Sequence, residues 1–590
     1  MKKSKGFKSH TSLVAGFTQA YIIFMSSIFI LTYHENYIDI QDYKSRLFLY
    51  ISGLYVALEV LILTIRFFSG NRSSRLDARG KIRDHVFRDA RFFFPLLFAA
   101  AVLAGWIMCQ WPQGAAFGIA GRQFGAVHLL LCVAVYLLIS GTWNDHGKER
   151  ISSDAGGGGG RIRILICVFS LSVGLELILG ILNLWGVDPL NMYYDLVDEQ
   201  HSFFIGTVGN KNVTANFLCL AMPILMLLFL RSRDPDRSFA RLIPRNSGRS
   251  DKRRPGNSAS RFAPRLIYAA LLGMGFYYGI GISCDSFLSG MGAAFLVLVW
   301  YCLSGEEGIQ ALPSLYWILA LFTAAWWAVF FSVKGYPVSP FFREYHANGL
   351  PGALPGLKVS LILTIITVVL VLFLEMLRRL FIGRISRAQS VSGSVCEGGW
   401  TESLRRVRNV IFLILVVAAV LALVTACTVN LLPENRQEAL PGFFRQFVLT
   451  DEFGSNRGYI WKRTAEAFIH LPLIEKAVGV GADCFYLLMT PLCGEEATLL
   501  YGAPYADAHN EFLQLLLTCG FFGVIGYFGT LLAGCFRVRR TGWKLPVRQI
   551  VIAAWLAQGI VNSPQVMTTP LMFIFLGICN AAEKPLLSRV

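Results

Sequence analysis

The stretch Asp507–Phe512 places ionisable side chains directly before a long apolar segment, in the order Asp-Ala-His-Asn-Glu-Phe. We expect His509 in or just before the first turn of a membrane helix, where free N–H groups and the helix dipole attract anions and disfavour a charged imidazole. A neutral histidine beside a bound anion is suited to general-base chemistry. The alternative is that Asp507 or Asn510 only caps the helix and that His509 takes no part in chemistry.

A short amphipathic helix is predicted in the polar region that precedes this stretch. Its basic and aromatic residues suit a membrane interface, where Trp461 anchors at the headgroup level and Arg457 and Arg463 face phosphates. The alternative is an ordinary interfacial helix whose charges are only solvated. The helical spacing comes from Arg457, Trp461, Thr464 and Phe468, and Pro472 ends the pattern.

Three further polar segments precede helices or join them closely. Gly479 and Gly481 lie in a glycine-rich turn, which most often marks a close approach of two backbone segments. The sequence Gly-Asn-Lys-Asn at 209–212 comes immediately before an apolar helix, and Ser-Cys-Asp-Ser at 283–286 joins two apolar segments. By contrast, the glycine run at 156–160 lacks the Lys-Ser/Thr and the preceding strand of a phosphate-binding loop, so we interpret it as a linker.

The composition indicates a membrane protein. Of 590 residues, 54% are hydrophobic and only 15% are charged, and the chain repeatedly supplies the roughly 20 apolar residues that cross a bilayer. This excludes a soluble enzyme and predicts an all-α polytopic membrane protein with about 12–14 transmembrane helices. The apolar segments lie at about 14–32, 46–68, 92–109, 125–141, 163–184, 213–230, 266–283, 286–303, 312–332, 358–377, 409–430, 511–534, 550–561 and 566–582.

The distribution of the 54 Lys and Arg residues predicts the orientation. Most of them fall in alternate loops, so the positive-inside rule places both termini in the cytoplasm and the loops with candidate chemistry on the opposite face. The basic N-terminus, residues 1–8, runs into an apolar stretch without a small-residue cleavage site and is interpreted as an uncleaved anchor. The basic loop 231–265 has few aromatics and would face anionic membrane lipids, which argues against a nucleic-acid partner.

The chain divides at one large loop. Residues 1–430 are predicted to hold eleven transmembrane helices and basic cytoplasmic loops, residues 431–510 a large, partly helical loop outside the cytoplasm, and residues 511–590 the last helices. The last two apolar segments are short and are separated by Asn-Ser-Pro-Gln, so a re-entrant pair is the alternative to two full spans. Cys484 and Cys493 of the large loop are candidates for a disulfide, and two free thiols are the alternative.

Four motifs, in this order, resemble those of the O-antigen ligase and polymerase superfamily. The resemblance spans roughly residues 206–526. No single motif is sufficient for this resemblance. The order of the four motifs, together with the large loop, supports it. The motifs are Gly-Asn-Lys-Asn at 209–212, Arg457-Gly-x-x-Trp461, Gly479-x-Gly481-x-x-x-Phe485 and His509-Asn510-Glu511-x-x-Gln514.

The resemblance implies a metal-independent, cofactor-free glycosyltransferase of a bacterial inner membrane, with its active face periplasmic. Such an enzyme transfers a glycan from an undecaprenyl-diphosphate carrier to a hydroxyl of a lipid A core, another surface glycolipid, a glycan or a protein. Direct displacement of the diphosphate by that hydroxyl predicts inversion at the sugar carbon. The resemblance gives His509 the catalytic role and Arg457 that of a diphosphate ligand. The other substrate-binding candidates are Arg463, Lys211, Asn210, Asn212, Trp461 and Asn510.

One position departs from the family pattern. Many members have Ser-Arg-Gly where this chain has Ser-Cys-Asp-Ser, so Asp285 stands where a second phosphate-binding arginine is expected. Either another cation supplies the missing charge, or the donor binds differently, or the activity has diverged. The candidates for that other cation are Lys211, Arg463 and Arg445.

Two alternative functions follow from the same scaffold. A polymerase differs only in its acceptor, which is another lipid-linked repeat unit. A transporter of small or lipid-linked solutes places ionisable groups or broken helices near the bilayer midplane. Glu176 and Glu375 are the main acidic residues within the apolar segments, and neither lies in a pattern typical of a transport site.

Overall fold

The computed structural model describes residues 3–69, 89–119, 121–143, 160–232, 259–335, 356–392, 398–433, 436–437, 439–445, 447–535 and 546–583. The glycine linker, apart from Gly160, and most of the basic loop 231–265 lie outside these residues. The helices are α1 Lys3–Ser26, α2 Ile28–Leu31, α3 Ile40–Ser69, α4 Ala90–Met108, α5 Pro112–Phe117, α6 Ala126–Thr142, α7 Gly160–Leu184, α8 Lys211–Arg231, α9 Ala259–Gly281, α10 Asp285–Cys302, α11 Glu306–Gly335, α12 Leu357–Ser392, α13 Gly398–Asn430, α14 Gly442–Arg445, α15 Phe453–His470, α16 Leu473–Val478, α17 Phe485–Tyr501, α18 Glu511–Leu532, α19 Val547–Gly559 and α20 Thr569–Glu583.

The long helices confirm an all-α polytopic membrane protein. Every one of the predicted apolar segments forms a helix, and in the described part of the chain ten helices are long and apolar enough to cross a membrane. Helix α8 is the centre of the bundle, because nearly all of its side chains are buried. Helix α13 lies at the periphery and exposes its apolar side chains, as a lipid-facing helix does.

The predicted amphipathic helix is present as α15, which ends at His470 just before Pro472. Helices α14 to α17 all lie between residues 431 and 510, so the large loop is partly helical as expected. The sequence did not indicate the small hairpin before α8, in which strands Phe204–Ile205 and Gly209–Asn210 pair antiparallel. This hairpin ends at Asn210, which caps α8 by accepting a hydrogen bond from the Asn212 N–H at 2.8 Å.

Helix α19 is antiparallel to α18 and contacts both of its ends. Two full spans for α19 and α20, with a re-entrant pair as the alternative, stay a prediction. At the beginning of α19, the Arg548 guanidinium donates to the Ala533 carbonyl just beyond the end of α18 at 2.8 Å. After the end of α19, the Ile560 carbonyl accepts from Asn510 Nδ2 at the start of α18, also at 2.8 Å. Helix α20 then returns, and Asn580 near its end meets Arg548.

The glycine-rich turn packs against a break in α18. Gly520 has φ 68° and ψ −174° inside that helix, which leaves the preceding carbonyls without their usual helical partners. The Val480 and Gly481 N–H groups donate to the Leu517 and Thr518 carbonyls at 3.1 and 3.2 Å. A Cβ at Gly479 would overlap the Thr518 backbone. The expected close backbone approach is therefore present, and it joins the large loop to a membrane helix.

Two buried ionisable side chains, Glu176 and Lys44, support the hairpin before α8. Glu176 of α7 accepts from the Thr207 N–H and hydroxyl at 2.9 and 2.6 Å, and Lys44 of α3 donates to the Thr207 carbonyl at 2.6 Å. Glu176 thus positions the segment that begins α8. Glu375 instead pairs with Arg378 and Arg379 one turn further along its own helix.

We predict that Gly479→Ala destabilises the protein by about 2–4 kcal/mol, since it adds a steric overlap of about 1–3 kcal/mol to the strain of a left-handed backbone. Gly186→Ala is the matched control. Gly186 has φ 79° against 82° for Gly479, but a Cβ there meets nothing within 4 Å. Thermal unfolding in detergent measures both variants, and equal losses of stability in the two would contradict the proposed packing.

Candidate functional site

The Arg122 side chain is the centre of a buried charge cluster. This residue lies between α5 and α6, and its side chain is only 6% exposed. Its guanidinium pairs with Asp483 at 2.9 Å and with Asp507, and it donates to the Pro564 carbonyl at 3.2 Å. One cation therefore connects three segments of the chain that are distant in sequence. Two buried carboxylates around one guanidinium are tolerated because all of these charges are paired and hydrogen-bonded.

Asp483 belongs to the glycine-rich turn and fixes the loop that carries Arg122. Its Oδ2 atom accepts from the Ile119 and Phe124 N–H groups, each at 3.2 Å. Asp483 has a left-handed backbone with φ 58°, directly after the glycine-rich part of the turn. The turn thus has two functions, since it packs against the α18 break and supplies a carboxylate to Arg122.

His509 lies beside Asp507 in the loop before α18. Asp507 Oδ1 accepts from the His509 N–H at 2.7 Å and lies 3.4 Å from His509 Nδ1. His509 has φ 47°, a left-handed conformation that the Asp507 turn holds in place. A carboxylate next to Nδ1 favours a proton on that nitrogen and leaves the Nε2 lone pair available. One third of the His509 side chain is exposed.

The environment of Asp507 keeps its carboxylate ionised. Burial alone raises the pKa of Asp507, but protonated His509, Arg122 and the hydrogen bonds from Ser563 and the His509 N–H lower this pKa well below its usual range. A carboxylate whose pKa is lower in the folded state than in the unfolded state stabilises the fold at pH values above about 3.9, the ordinary pKa of Asp. This contribution is lost as the pH falls below that value towards the pKa of the folded state. At neutral pH, Asp507 is therefore a fixed negative partner for His509.

The loop between α19 and α20 connects His509 to the start of the central helix. Ser563 Oγ donates to Asp507 Oδ1 at 2.7 Å. Its neighbour Asn562 donates through Nδ2 to the Asn212 carbonyl at 2.8 Å and to Asn216 Oδ1. The side chain of Asn212 in turn accepts from the Cys284 thiol at 3.0 Å. A continuous hydrogen-bonded chain therefore joins the 209–212 motif to the motif that contains His509.

Asn510 and Gln514 hold the loop in place. Asn510 caps α18 by accepting from the Leu513 N–H at 2.9 Å, so that part of the capping alternative is correct. Its Nδ2 group donates to Ile560, as described above. Gln514 Oε1 accepts from the Ala508 N–H at 3.0 Å. Both amide groups of the motif are thus used in shaping the backbone around His509.

Helix α15 brings Arg457 to the same region. Trp461 Nε1 donates to the Ala508 carbonyl at 3.0 Å, and the Tyr505 hydroxyl donates to the Asn456 carbonyl at 3.1 Å while its ring lies edge-on to His509. Arg457 itself is 12% exposed. It lies 3.6 Å from Asp285, whose side chain is 57% exposed at the start of α10. Asp285 is therefore the partner of the predicted phosphate-binding arginine.

Two other predicted cations are already in contact with protein groups. Arg463 pairs with Glu496 at 2.7 Å and with Glu466 at 3.1 Å. Lys211 lies over the Phe203 ring, with Nζ 4.9 Å from its centroid. The roles of both in substrate binding stay predictions.

Of the two alternatives for Cys484 and Cys493, the structure shows two free thiols and no bond between them. Cys493 lies in α17 and donates to the Met489 carbonyl at 3.5 Å within its own helix. Cys484 caps the beginning of that helix and instead lies beside Cys109, with 3.7 Å between the two sulfurs.

Residues 354–528 match the sequence model of the O-antigen ligase family, which confirms the resemblance seen in the motifs. This match supports a relation to the O-antigen ligase superfamily over that segment. The matched segment is less than a third of the 590 residues, and it includes Arg457, Gly479 and His509 but not the 209–212 motif. Neither curated proteins nor solved structures gave a significant match. The match supports a membrane glycosyltransferase of the ligase or polymerase type.

Sequence reasoning missed Arg122, Ser563 and Asn562. A signal was present for Arg122, because it is the only charged residue between α4 and α6 in the printed sequence. A lone charge in an otherwise uncharged loop requires a partner or solvent. The Asn562–Ser563 pair was visible only as a polar interruption between two short apolar segments.

We predict that Arg122→Met lowers the free energy of unfolding by about 3–5 kcal/mol, because it leaves Asp483 and Asp507 buried without a counter-ion. Adding Asp483→Asn and Asp507→Asn to the same variant should recover part of the loss. Arg406→Met is the control, since Arg406 is 78% exposed in a surface pair with Glu402 and should change stability by less than about 1 kcal/mol. Unfolding midpoints in detergent test this, and an unchanged midpoint for Arg122→Met would count against the cluster.

Proposed function

We propose that this protein transfers a glycan from an undecaprenyl-diphosphate carrier to an acceptor hydroxyl at the periplasmic face of a bacterial inner membrane. The acceptor class is a lipid A core, another surface glycolipid or a protein. The observation that carries the proposal is the convergence of all four sequence motifs at one place. The 209–212 motif, α15, the glycine-rich turn and the His509 loop are joined by hydrogen bonds through Arg122, Asp507 and Asn562.

The predicted topology supports one active face. The site is built from the loops 109–125, 185–212, 282–285, 431–510 and 560–568. Alternation of the membrane helices assigns each of these loops to the side opposite the basic loops. The contacts among them agree with that assignment, because loops on opposite faces of a bilayer are separated by about 30 Å of hydrocarbon.

His509 is the proposed general base. Asp507 Oδ1 lies 3.4 Å from Nδ1 and favours a proton on that nitrogen. Nε2 then accepts the proton of the acceptor hydroxyl as its oxygen attacks the anomeric carbon. A general base has to be held within reach of the proton that it accepts, and the buried Asp507 carboxylate beside the ring serves this purpose. General-base catalysis raises a reaction rate by about 10²- to 10⁴-fold. The left-handed backbone of His509 is energetically unfavourable. The hydrogen bond from the His509 N–H to Asp507 offsets this cost and fixes the direction of the ring.

Arg457 is the proposed ligand of the leaving group. As the bond between the anomeric carbon and the diphosphate oxygen breaks, its electron pair goes to the diphosphate, whose charge the guanidinium stabilises. The undecaprenyl diphosphate then leaves without a proton. A single displacement of this kind inverts the configuration at the sugar carbon.

The ion pair between Asp285 and Arg457 suggests how the unexpected carboxylate is accommodated. Asp285 is largely exposed and its oxygen lies 3.6 Å from the guanidinium, so the pair is a weak one that contributes about 1 kcal/mol or less. The diphosphate, with more charge and more acceptor oxygens, displaces Asp285 from Arg457. Asp285 then acts as a counter-ion for Arg457 in the substrate-free protein.

We predict that His509→Ala and Arg457→Ala each lower transfer from an undecaprenyl-diphosphate glycan at least about 100-fold in membranes. His470→Ala and Arg436→Ala are controls from the same loop, because both side chains are exposed and neither is among the residues assigned to the site. Immunoblots of extracted membranes confirm insertion of each variant. Full transfer by either site variant would overturn the assignment, and a product with retained anomeric configuration would exclude the single displacement.

We predict that Asp285→Asn lowers the KM for the donor by up to about five-fold and leaves kcat unchanged, since it removes a competitor worth about 1 kcal/mol for Arg457. Initial rates at varied donor concentration measure this effect. If Asp285→Asn abolished transfer instead, the carboxylate would take part directly in the reaction.

A further inference from the structure

Two cysteines from distant parts of the chain meet behind the Asp483 turn. Cys109 follows the last residue of α4, and Cys484 immediately precedes α17, yet their sulfur atoms are 3.7 Å apart. The two residues are 375 positions apart in sequence. A disulfide needs a sulfur separation of about 2.05 Å. The sulfurs therefore need to approach by roughly 1.7 Å, a distance that side-chain rotation covers.

The surroundings favour a bond between these two thiols. Cys484 is fully buried among apolar groups that include Val480 and Ala115. Cys109 is partly exposed, and its sulfur accepts from the Trp111 N–H at 3.2 Å, an interaction that stabilises a thiolate. One thiol is thus reachable by an oxidant and the other can resolve the intermediate.

The position of the pair gives a bond a structural consequence. A Cβ at Gly481 would lie 2.5 Å from Cys109 Sγ, so Cys109 packs directly against the glycine-rich turn. Cys484 adjoins Asp483, whose carboxylate binds Arg122. A bond between the two sulfurs would join the turn covalently to the end of α4, in addition to its packing against the break in α18.

We propose that Cys109 and Cys484 form a disulfide in the mature protein. The proposal rests on the periplasmic placement of the site in the proposed function, because that compartment is oxidising. The oxidant is a dithiol–disulfide oxidoreductase of that compartment. The Cys109 thiolate attacks its disulfide and releases one thiolate, and deprotonated Cys484 then attacks Cys109 Sγ of the mixed disulfide and releases the other. Two protons and two electrons leave the cysteine pair, and the oxidoreductase is reduced to a dithiol.

Thiol counting in the full-length protein tests this proposal. Membranes from acid-quenched cells are denatured, free thiols are blocked with N-ethylmaleimide, and thiols released by reductant are labelled with a polyethylene-glycol maleimide. The expected result is two reductant-dependent labels in the wild type, neither of which appears in Cys109→Ser or Cys484→Ser. Cys493→Ser is the matched control from the same loop and should keep both labels. Mass spectrometry of the unreduced protein should detect one peptide pair that contains residues 109 and 484.

Absence of reductant-dependent labels in the wild type would overturn the proposal, and so would two labels that persist in Cys109→Ser. Treatment of the purified protein with oxidised glutathione separates the causes of failure. A bond that forms only in that treatment means that the thiols face a reducing compartment, so the predicted orientation of the site is wrong. These experiments measure the mass of the labelled protein and of its peptides, and they do not measure glycan transfer. Their result is therefore independent of whether His509 and Arg457 catalyse the proposed reaction.

Discussion

The site depends on a single buried guanidinium, that of Arg122. Its two carboxylate partners come from the glycine-rich turn and from the loop that carries His509, and its third partner is a carbonyl between the last two helices. Because a buried charge without a partner costs several kcal/mol, none of these segments can move away alone. The position of His509 is therefore fixed by residues that never contact a substrate in the proposed reaction.

The structure separates the site into two differently supported halves. His509 is held by a dense network of buried hydrogen bonds that extends to the central helix α8, whereas Arg457 is held mainly by the Gly454 carbonyl at 3.0 Å and by an exposed carboxylate. A proton acceptor has to be oriented accurately, which suits the rigid half. A ligand for a large, flexible lipid diphosphate has to exchange partners, which suits the other half.

Much of the fold and part of the site followed from sequence. Apolar length and charge distribution predicted the helices, and the spacing around Arg457 predicted α15, because these features depend on local pattern. The Arg122–Asp507 pair joins residues 385 positions apart, and such long-range pairing leaves no local periodicity. The contact between Cys109 and Cys484 was missed for the same reason, since the two residues are 375 positions apart in sequence. The hairpin before α8 was missed because two-residue strands carry no alternation.

The break at Gly520 has a consequence for the order in which the protein is made. The glycine-rich turn is synthesised before α18, yet its N–H groups need the carbonyls that only the broken α18 provides. Arg122 is synthesised earlier still, and its partners Asp507 and the Pro564 carbonyl follow much later in the chain. The parts of the site are therefore present in an incompletely inserted chain, but the site itself is not. In the proposed function, the nascent protein therefore cannot act on its donor before its last helices have entered the membrane.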